Sequence, residues 1–510
     1  MHALSELGTA LWALMTPGML FNVVWATLLG IFVGALPGLT ATLGVALLTT
    51  LTYSLERDAA ILVLLCMYVG AIYGGSRSAI LLNIPGTPAS AATALDGYPM
   101  ARAGRAGYAM GLATAGSVLG TLVGILLLVM VAPPLAELAM DFGSFEFFWL
   151  AVFGVLISGQ LTASTSAIKG YIAGILGLMV AMVGSEGIHA HVRFSFGIDA
   201  LNGGIALIPA MVGAFGFTEV LSAMWNAQGQ VVDGSRRGER MIPRLVDLWR
   251  YKFTVIRSGI IGTIVGIIPG VGEDIGAWAS YSVARQTSSE RDQFGKGSQE
   301  GLTAAETGNS AVVPGSLIPA LTLAIPGSAS AAVLIAALFI HGIRPGPLIM
   351  IEEPTFIYSV AAMMILATLA MGIFGIALTR VFVQVLKVPY AYLMPVVFTL
   401  CVIGPYALSQ RLFDVGVMVV FGLIGFVLRQ MNYPMAPLVL GIILGSLLDK
   451  SLRRGLTLSE GDLTPFFTRP MSLMFVVIIA FSILMNLRFV RNRLARLMAR
   501  AESAGQKAER

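Results

Sequence analysis

The hydrophobic pattern of the chain is a succession of long apolar runs separated by short polar segments. Each run approaches the roughly 20 residues that cross the hydrocarbon core of a bilayer. Clear examples are residues 111–132, 145–160, 168–184, 355–379, 411–429 and 471–489. The pattern predicts an all-α polytopic membrane protein with about a dozen transmembrane helices, some of them broken or re-entrant.

Two of the apolar runs are interrupted in the middle by a Pro-Gly pair. "GIFVGALPGLTATLGVALL" is broken at Pro37-Gly38, and "GTIVGIIPGVGEDIGAWAS" is broken at Pro269-Gly270. Breaking a helix in lipid exposes backbone groups that cost several kcal/mol each, unless protein or a water-filled cavity satisfies them. We therefore interpret each break as the meeting of two half-helices, whose free N–H groups and positive dipole end face a binding cavity.

A second pair of breaks follows the first pair in the same order. "NIPGTPASAA" begins at Asn83 and "AIPGSASAA" begins at Ala324. The offset between the Pro-Gly breaks is 232 residues, and between the Ile-Pro-Gly breaks it is 241. The longer polar loop "QTSSERDQFGKGSQEG" accounts for the difference. Matched broken segments predict two structurally related halves, which we expect to be inverted repeats with a substrate site between them.

The repeat and the distribution of charge predict the domain organisation. The window 228–258 contains seven Lys and Arg and three Asp and Glu, and the window 487–510 contains seven and two. The positive-inside rule places both windows in the cytoplasm. The expected units are a first transmembrane half 1–227 with its motifs in 30–100, a basic cytoplasmic connector 228–258, a second transmembrane half 259–455 with its motifs in 262–350, a final transmembrane helix region 456–490 and a basic cytoplasmic tail 491–510.

Composition changes this picture little, but it excludes other classes. The 510 residues are 56% hydrophobic and 12% charged, whereas soluble domains are about 25% charged. A net charge of +5 comes with the two basic windows, and no soluble domain is left that would bind nucleic acid. The two cysteines lie in apolar runs, and His189 and His191 lack a second ligand pair, so we expect neither disulfides nor a metal site.

The long motifs are similar to those of a known transporter family. "GALPGLTATLGVALL", "YGGSRSAILLNIPGTPASAATALDGYPMARAGRAG" and "FGKGSQEGLTAAETGNSAVVPGSLIPALTLAIPGSASAAVLIAALFIHGIRPGPL" resemble the large membrane subunit of the tripartite tricarboxylate transporters, the TctA type. The resemblance runs from about Gly30 to Lys450. It implies a permease of the bacterial inner membrane that works with a small membrane subunit (TctB type) and a periplasmic solute-binding protein (TctC type). It also implies import of carboxylates driven by an ion gradient.

The candidate substrate-binding residues lie at and just after the four breaks. Hydroxyls and free N–H groups there can receive a carboxylate without the burial of a second charge. The alternative is that these residues only cap half-helices and allow close packing. The candidates are Pro37, Gly38, Thr40, Thr42, Asn83, Pro85, Gly86, Thr87, Ser90, Gly270, Pro326, Gly327, Ser328 and Ser330.

Four polar residues at membrane depth are candidates for ion coupling, with Na⁺ or H⁺ as the cation. Glu273 and Asp274 follow a break, and Glu306 and Asn309 lie one helical turn apart in an apolar run. Ionisable residues inside a membrane are functional candidates by default. The alternatives are an ordinary contact between helices and an acid placed near the membrane interface. Arg77 could bind a substrate carboxylate bidentately, but we expect it to form a structural pair with an acid such as Asp96.

Three other functions remain open from the residues alone. A single-component carboxylate symporter would need no partner subunit. A membrane-embedded enzyme would need a nucleophile–base set or metal ligands, which the four histidines do not supply. A channel would line its pore with repeated charge or carbonyl rings. We expect a carrier and not an enzyme.

Overall fold

The computed structural model describes residues 2–36, 39–83, 85–162, 167–186, 188, 190–225, 249–378 and 390–486. In these ranges the chain is helical, apart from loops and one pair of two-residue antiparallel strands, β1 Gly184–Ser185 and β2 Val192–Arg193. The all-α class is therefore confirmed. Pro37, Gly38, most of the basic connector, the basic tail and His189 lie outside the described residues.

The first part of the chain forms ten helices within these ranges. A π-helical stretch, Ala101–Arg105, joins the fifth helix to the sixth and kinks at Gly104. A second one, Val212–Phe217, joins the last two. The helices are α1 His2–Ala13, α2 Pro17–Ala35, α3 Ala41–Leu51, α4 Arg57–Leu82, α5 Ser90–Met100, α6 Ala106–Met140, α7 Ser144–Thr162, α8 Ala167–Ala181, α9 Leu207–Met211 and α10 Thr218–Trp225.

The second part of the chain repeats the alternation of long and short helices. They are α11 Lys252–Ile267, α12 Gly272–Thr287, α13 Gln299–Leu323, α14 Ala329–Ile340, α15 Ile349–Glu352, α16 Phe356–Ala377, α17 Tyr390–Ser409, α18 Leu412–Gln430, α19 Met435–Leu458, α20 Pro465–Thr468 and α21 Pro470–Asn486. In both parts of the chain, each predicted break lies between two consecutive helices.

Within the described ranges, six helical segments are long and apolar enough to cross a membrane. They are Pro17–Ala35, Arg57–Leu82, Ser90–Met140, Phe356–Ala377, Leu412–Gln430 and Met435–Leu458. Shorter apolar helices of 10–17 residues accompany them, among them α3 and α14 next to the breaks. The structure thus supports a multi-pass membrane protein, while the dozen spans expected from the sequence stay a prediction.

The same helix packing occurs in both parts of the chain. α2 packs on α4 so closely that a Cβ atom on Gly34 would lie 1.9 Å from the carbonyl oxygen of Ala71. α11 packs on α13 in the same way, because a Cβ on Gly266 would lie 2.7 Å from the carbonyl oxygen of Val312. These four residues occupy equivalent positions of the repeat, so the glycine spacing read from the sequence marks close contact between helices.

The direction of the helices follows from their contacts. Gly30 meets Met67 and Gly34 meets Ala71, so α2 and α4 run parallel, and the equivalent contacts make α11 and α13 parallel. The two long helices of different pairs run antiparallel. Tyr68 of α4 is hydrogen-bonded to Ser316 of α13, and Ser76, further along α4, is bonded to the earlier residue Glu306.

The helices α4 and α13 form the centre of the molecule. α4 is buried from Ala59 to Ile80 and α13 from Glu300 to Leu323. Burial along this whole length places both helices in the interior and not at the surface of the molecule. Both helices end at an Ile-Pro-Gly break, so the core positions the candidate site.

Candidate functional site

Each central helix ends at a residue in the left-handed conformation, directly before Ile-Pro-Gly. Asn83 has φ 56° and Ala324 has φ 55°. Their N–H groups donate to the carbonyls of Ser78 and Pro319, which closes the last turn of each helix. Asn tolerates this conformation, but for Ala it costs about 1 kcal/mol. The left-handed conformation therefore suits Asn83, whereas at Ala324 the surroundings of the chain must impose it.

The glycine of each Ile-Pro-Gly turns the chain back against its own helix. The N–H of Gly86 donates to the carbonyl of Gly75 at 3.3 Å, and the N–H of Gly327 donates to that of Ser316 at 3.4 Å. The amides of Gly86 and Gly327 themselves are thus used within the chain. The sequence predicted that the N–H groups after these two glycines hold a ligand, and this stays a prediction.

The lack of a side chain at these two glycines is required by packing. A Cβ on Gly86 would lie 2.5 Å from the carbonyl oxygen of Gly34, and a Cβ on Gly327 would lie 2.0 Å from that of Gly266. Gly270, at the second Pro-Gly break, has φ 72°, which a side chain rarely adopts. These glycines let the broken helices approach one another.

Hydroxyl residues begin two of the half-helices as caps. Thr40 accepts the N–H of Leu43 at 3.2 Å before α3, and Ser328 accepts the N–H of Ala331 at 3.1 Å before α14. Capping of this kind is the alternative that the sequence left open. Ser328 does more than cap, because its hydroxyl is also hydrogen-bonded to Tyr68 at 2.8 Å.

Thr87 and Ser90 bond to each other at the start of α5. The N–H of Thr87 donates to the Ser90 hydroxyl at 3.0 Å, and the N–H of Ser90 donates to the Thr87 hydroxyl at 3.3 Å. Around them Asn83, Pro85 and Pro88 are exposed. The first Ile-Pro-Gly break thus lies at an accessible surface.

The second Ile-Pro-Gly break is enclosed, and residues of both halves line it. Pro326 and Gly327 are buried there. Tyr68 of α4 is hydrogen-bonded to Ser316 at 3.0 Å, and Thr42 of α3 is hydrogen-bonded to Ser330 at 3.0 Å. We call this set the second-break cluster; its members are Thr42, Tyr68, Glu273, Ser316, Ser328 and Ser330.

Glu273 contributes the carboxylate of the second-break cluster. It is the second residue of α12, and the N–H of Gly272 before it donates to the carbonyl of Gly327 at 3.2 Å, which places its carboxyl group beside Tyr68, Ser328 and Ser330. Its buried Oε1 atom has no hydrogen-bond partner. The carboxylate thus lies at the start of α14, where the sequence predicted that a substrate carboxylate binds. The side chain of the neighbouring Asp274 lies outside the described residues.

Glu306 is the centre of a second buried polar cluster, between α4, α5, α6 and α13. Its Oε1 accepts from Ser76 at 2.6 Å and also from Thr93. Its Oε2 accepts from Ser117 at 2.9 Å. Three hydroxyls from the first half therefore solvate one carboxylate of the second half in a site that is closed to solvent.

Arg77 lies beside this cluster and is fully buried. It donates to the carbonyl of Met110 at 3.3 Å and to Thr114 at 2.6 Å, and its guanidinium stacks over Tyr73 at 4.2 Å. Glu306 is close enough for its charge to interact with Arg77, although no ion pair within 4.0 Å joins them among the described residues.

The predicted pairing of Arg77 with Asp96 is wrong. Asp96 instead fixes the loop before α13 and accepts a hydrogen bond from Tyr281 at 2.9 Å. Its other oxygen accepts three backbone N–H groups, from Gly295, Gly297 and Ser298. Hydrogen bonds from three backbone amides and from Tyr281 thus satisfy this carboxylate without a cation.

Asn309 is a polar side chain without a partner. It is 1% exposed, and neither its Oδ1 nor its Nδ2 atom is hydrogen-bonded. It occupies the position of the second half that Tyr68 occupies in the first, at the repeat offset of 241 residues. Tyr68 itself was missed by sequence reasoning, and this offset was the signal that could have identified it. No group of three His, Cys, Asp or Glu able to hold a metal occurs in the described part of the chain.

Comparison with known proteins gives consistent matches. The model of the tripartite tricarboxylate transporter TctA family matches residues 20–440. The "uncharacterized 52.8 kDa protein in TAR-I ttuC' 3'region" of Agrobacterium vitis is 37% identical over 475 residues, which cover 92% of this chain and 94% of that protein. The "uncharacterized protein in TAR-II ttuC' 3'region" of the same organism is 36% identical over 211 residues, 41% of this chain and 87% of that protein. No solved structure matches.

Proposed function

The chain belongs to the tripartite tricarboxylate transporter TctA family, and from this premise we propose that it is the large permease subunit of a binding-protein-dependent secondary transporter. As a member of this family it is a membrane transporter component. The finer proposal is that it imports tricarboxylates or dicarboxylates across the bacterial inner membrane, driven by a gradient of Na⁺ or H⁺.

One observation carries the proposal: the two Ile-Pro-Gly breaks have the same construction, and the second brings polar groups of both halves together in an apolar interior. The N-terminus of a helix, together with neighbouring hydroxyl groups, binds a carboxylate favourably. Half-helix N-termini that point at anionic groups are typical of secondary transporter sites. The groups we assign to the substrate are the buried hydroxyls of Ser328 and Ser330 at the second break and those of Thr87 and Ser90 at the first, which are also buried but lie next to exposed residues.

The two halves would be inverted repeats. Support comes from the parallel pairs α2–α4 and α11–α13, which share their glycine contacts, together with the antiparallel arrangement of α4 and α13. Inverted halves can exchange conformations, so that the enclosed break opens while the accessible break closes. This exchange is the usual basis of alternating access.

The proposed partners are a small membrane subunit of the TctB type and a periplasmic solute-binding protein of the TctC type. The described part of this chain forms no extramembrane domain that would capture a solute at low concentration. We expect lipid vesicles with this chain alone to take up little labelled carboxylate at low concentration. Addition of both partners should raise uptake at least about tenfold, because capture then precedes transport.

A control separates failure of capture from failure of folding. The same vesicles with the chain alone should exchange labelled for unlabelled carboxylate at high concentration. Full uptake at low concentration without either partner would contradict the tripartite proposal and favour a single-component symporter.

The orientation we propose places the C-terminal tail in the cytoplasm and residues 459–469 in the periplasm. Ser472 and Ser482 of α21 contact Glu146 and Gln160 of α7, so these two helices run parallel. The contact of Gly445 with Ala181 and the packing of α8 on α7 make α19 antiparallel to them. The loop after α19 and the tail after α21 therefore leave on opposite sides.

Cysteine labelling tests this orientation. A membrane-impermeant maleimide should modify a Thr457→Cys variant in intact cells, because Thr457 is exposed at the end of α19. A Gln293→Cys variant, exposed between α12 and α13, should react only after the cells are opened. The native Cys66 and Cys401 are buried and give little background. The reverse pattern would overturn the orientation.

A further inference from the structure

We propose that the Glu273 carboxylate is a tethered occupant of the substrate position at the start of α14, and that it yields this position to the substrate by taking up a proton. The proposal rests on the carboxylate carrier proposed above and names its coupling ion and the residue that binds it. It follows from the geometry of the second-break cluster, in which an acid of the protein already lies where an anionic ligand is expected.

Two half-helices converge on this one carboxylate. Glu273 is the second residue of α12, so the positive end of its own helix favours its negative charge. The N–H of the preceding Gly272 donates to the carbonyl of Gly327 at 3.2 Å, which holds Glu273 beside Ser328 and Ser330 at the start of α14. A substrate carboxylate that binds at the start of α14 needs the same space. Glu273 and substrate therefore compete for one position.

The surroundings of Glu273 allow one negative charge and not two. Tyr68 of α4 is the titratable group that interacts with it. The other elements present neutral groups: the hydroxyls of Ser328 and Ser330 on α14, and on α13 Val312, which packs against α12 at Gly272. No Lys, Arg or His of the described residues lies within 4.0 Å of it. Two carboxylates that share such a site cannot both stay ionised.

Proton uptake resolves this conflict. When Glu273 is protonated and the substrate carboxylate binds, the site holds a single negative charge, as it does when Glu273 is ionised and substrate is absent. The unpartnered Oε1 leaves the ionised form one hydrogen bond short, so the protein does not fully satisfy this carboxylate. One proton then accompanies each substrate carboxylate that enters the position.

A proton fits the cluster better than a sodium ion. Tyr68 is hydrogen-bonded to Ser316 and Ser328 at 3.0 and 2.8 Å, and Thr42 to Ser330 at 3.0 Å. These hydroxyls pair with one another instead of converging as a set on one point. Oxygen atoms that bind one cation direct their lone pairs at it, and hydrogen bonds between them oppose this arrangement.

The repeat aligns Glu273 with Ala41 in the first half, so among the described side chains no equivalent of the Glu273 carboxylate lies at the start of α5. The coupling proton would therefore bind when the second break, and not the first, exchanges its occupant.

Glu273→Gln tests the proposal in vesicles that hold the chain and both partners. Glutamine keeps the shape but cannot exchange a proton. We expect accumulation driven by a proton gradient to fall at least tenfold, while exchange of labelled for unlabelled substrate persists. Apparent affinity in the native protein should weaken as pH rises, by at most about tenfold per pH unit for one linked proton, and this dependence should vanish in Glu273→Gln.

The matched control is Glu300→Gln. Glu300 is a buried acid at the start of α13 that accepts from Thr254 and Ser288, away from the breaks. It should keep both proton-driven accumulation and the pH dependence. Unchanged proton-driven accumulation by a well-folded Glu273→Gln would overturn the proposal, as would accumulation by the native protein that follows Na⁺ and ignores the proton gradient.

A second measurement does not depend on transport. Glu273→Ala should leave the carboxylate position open, so acetate should raise the melting temperature of this purified variant and leave the native protein and Glu300→Ala unchanged. An absence of stabilisation by acetate would contradict the tethered-occupant model. If acetate stabilises the purified Glu273→Ala variant but vesicles with the native protein and both partners transport no carboxylate, only the proposed function is contradicted.

Discussion

Gly327→Ala should remove most of the folded protein from the membrane. The added Cβ would lie 2.0 Å from the carbonyl oxygen of Gly266 and 2.7 Å from the Cα of Ser316. Both atoms belong to the backbone of packed helices, so neither can move without separating α11 from α13. Overpacking against side chains costs about 1–3 kcal/mol, and we expect the loss here to be at or above the upper end of that range.

Gly416→Ala is the matched control for this prediction. Gly416 lies in α18 with no atom within 4 Å of the position that its Cβ would take. Alanine there should leave the amount of folded protein unchanged or raise it, because alanine stabilises helices by about 1 kcal/mol relative to glycine. Size-exclusion chromatography of fluorescently tagged protein measures the folded amount of the Gly327→Ala and Gly416→Ala variants. Normal folding of Gly327→Ala with weakened substrate affinity would contradict the packing role and return this glycine to the binding site.

Glu306→Met should destabilise the protein strongly, and so should Arg77→Met. Each change removes one charged group and leaves the other group of the two buried without an opposite charge nearby. Glu306→Met also leaves the hydroxyls of Ser76, Thr93 and Ser117 without their acceptor. Loss of one member of a buried charge pair costs about 3–5 kcal/mol. Since no ion pair within 4.0 Å joins these two groups, we expect about 3 kcal/mol for each single variant.

The Arg77→Met and Glu306→Met double variant should recover much of that loss, because no lone charge then remains buried. Melting temperatures of the purified single and double variants give the coupling. A double variant as unstable as the sum of the two single ones would show that the two groups act independently. A double variant that folds but does not accumulate substrate would show that this pair of residues is needed for transport as well as for stability.

The sequence was sufficient to find the repeat and its breaks, and the reason is physical. Proline and glycine limit the backbone locally, so Ile-Pro-Gly marks the same turn after α4 and after α13. The Gly34 and Gly266 contacts follow from the same spacing, because a glycine every fourth residue lines one face of a helix. Backbone turns and close helix contacts of this kind can be predicted directly from the residue types and their spacing.

The partners of the polar side chains could not be read in this way. Arg77 was expected to pair with an acid such as Asp96, but Asp96 accepts hydrogen bonds from the backbone amides of Gly295, Gly297 and Ser298. Which side chains meet depends on the rotation and register of helices that are distant in sequence. The sequence also identified Ser328 and Glu273 as separate candidates, one for substrate and one for ion, without the information that they lie together.

The most direct test of the central claim is the accumulation of labelled tricarboxylates and dicarboxylates in vesicles that contain this chain, the small membrane subunit and the solute-binding protein, under an imposed ion gradient. The account predicts saturable accumulation above the external concentration that collapses when the gradient is dissipated. Equilibration without accumulation, or no carboxylate uptake with all three well-folded proteins present, would contradict it.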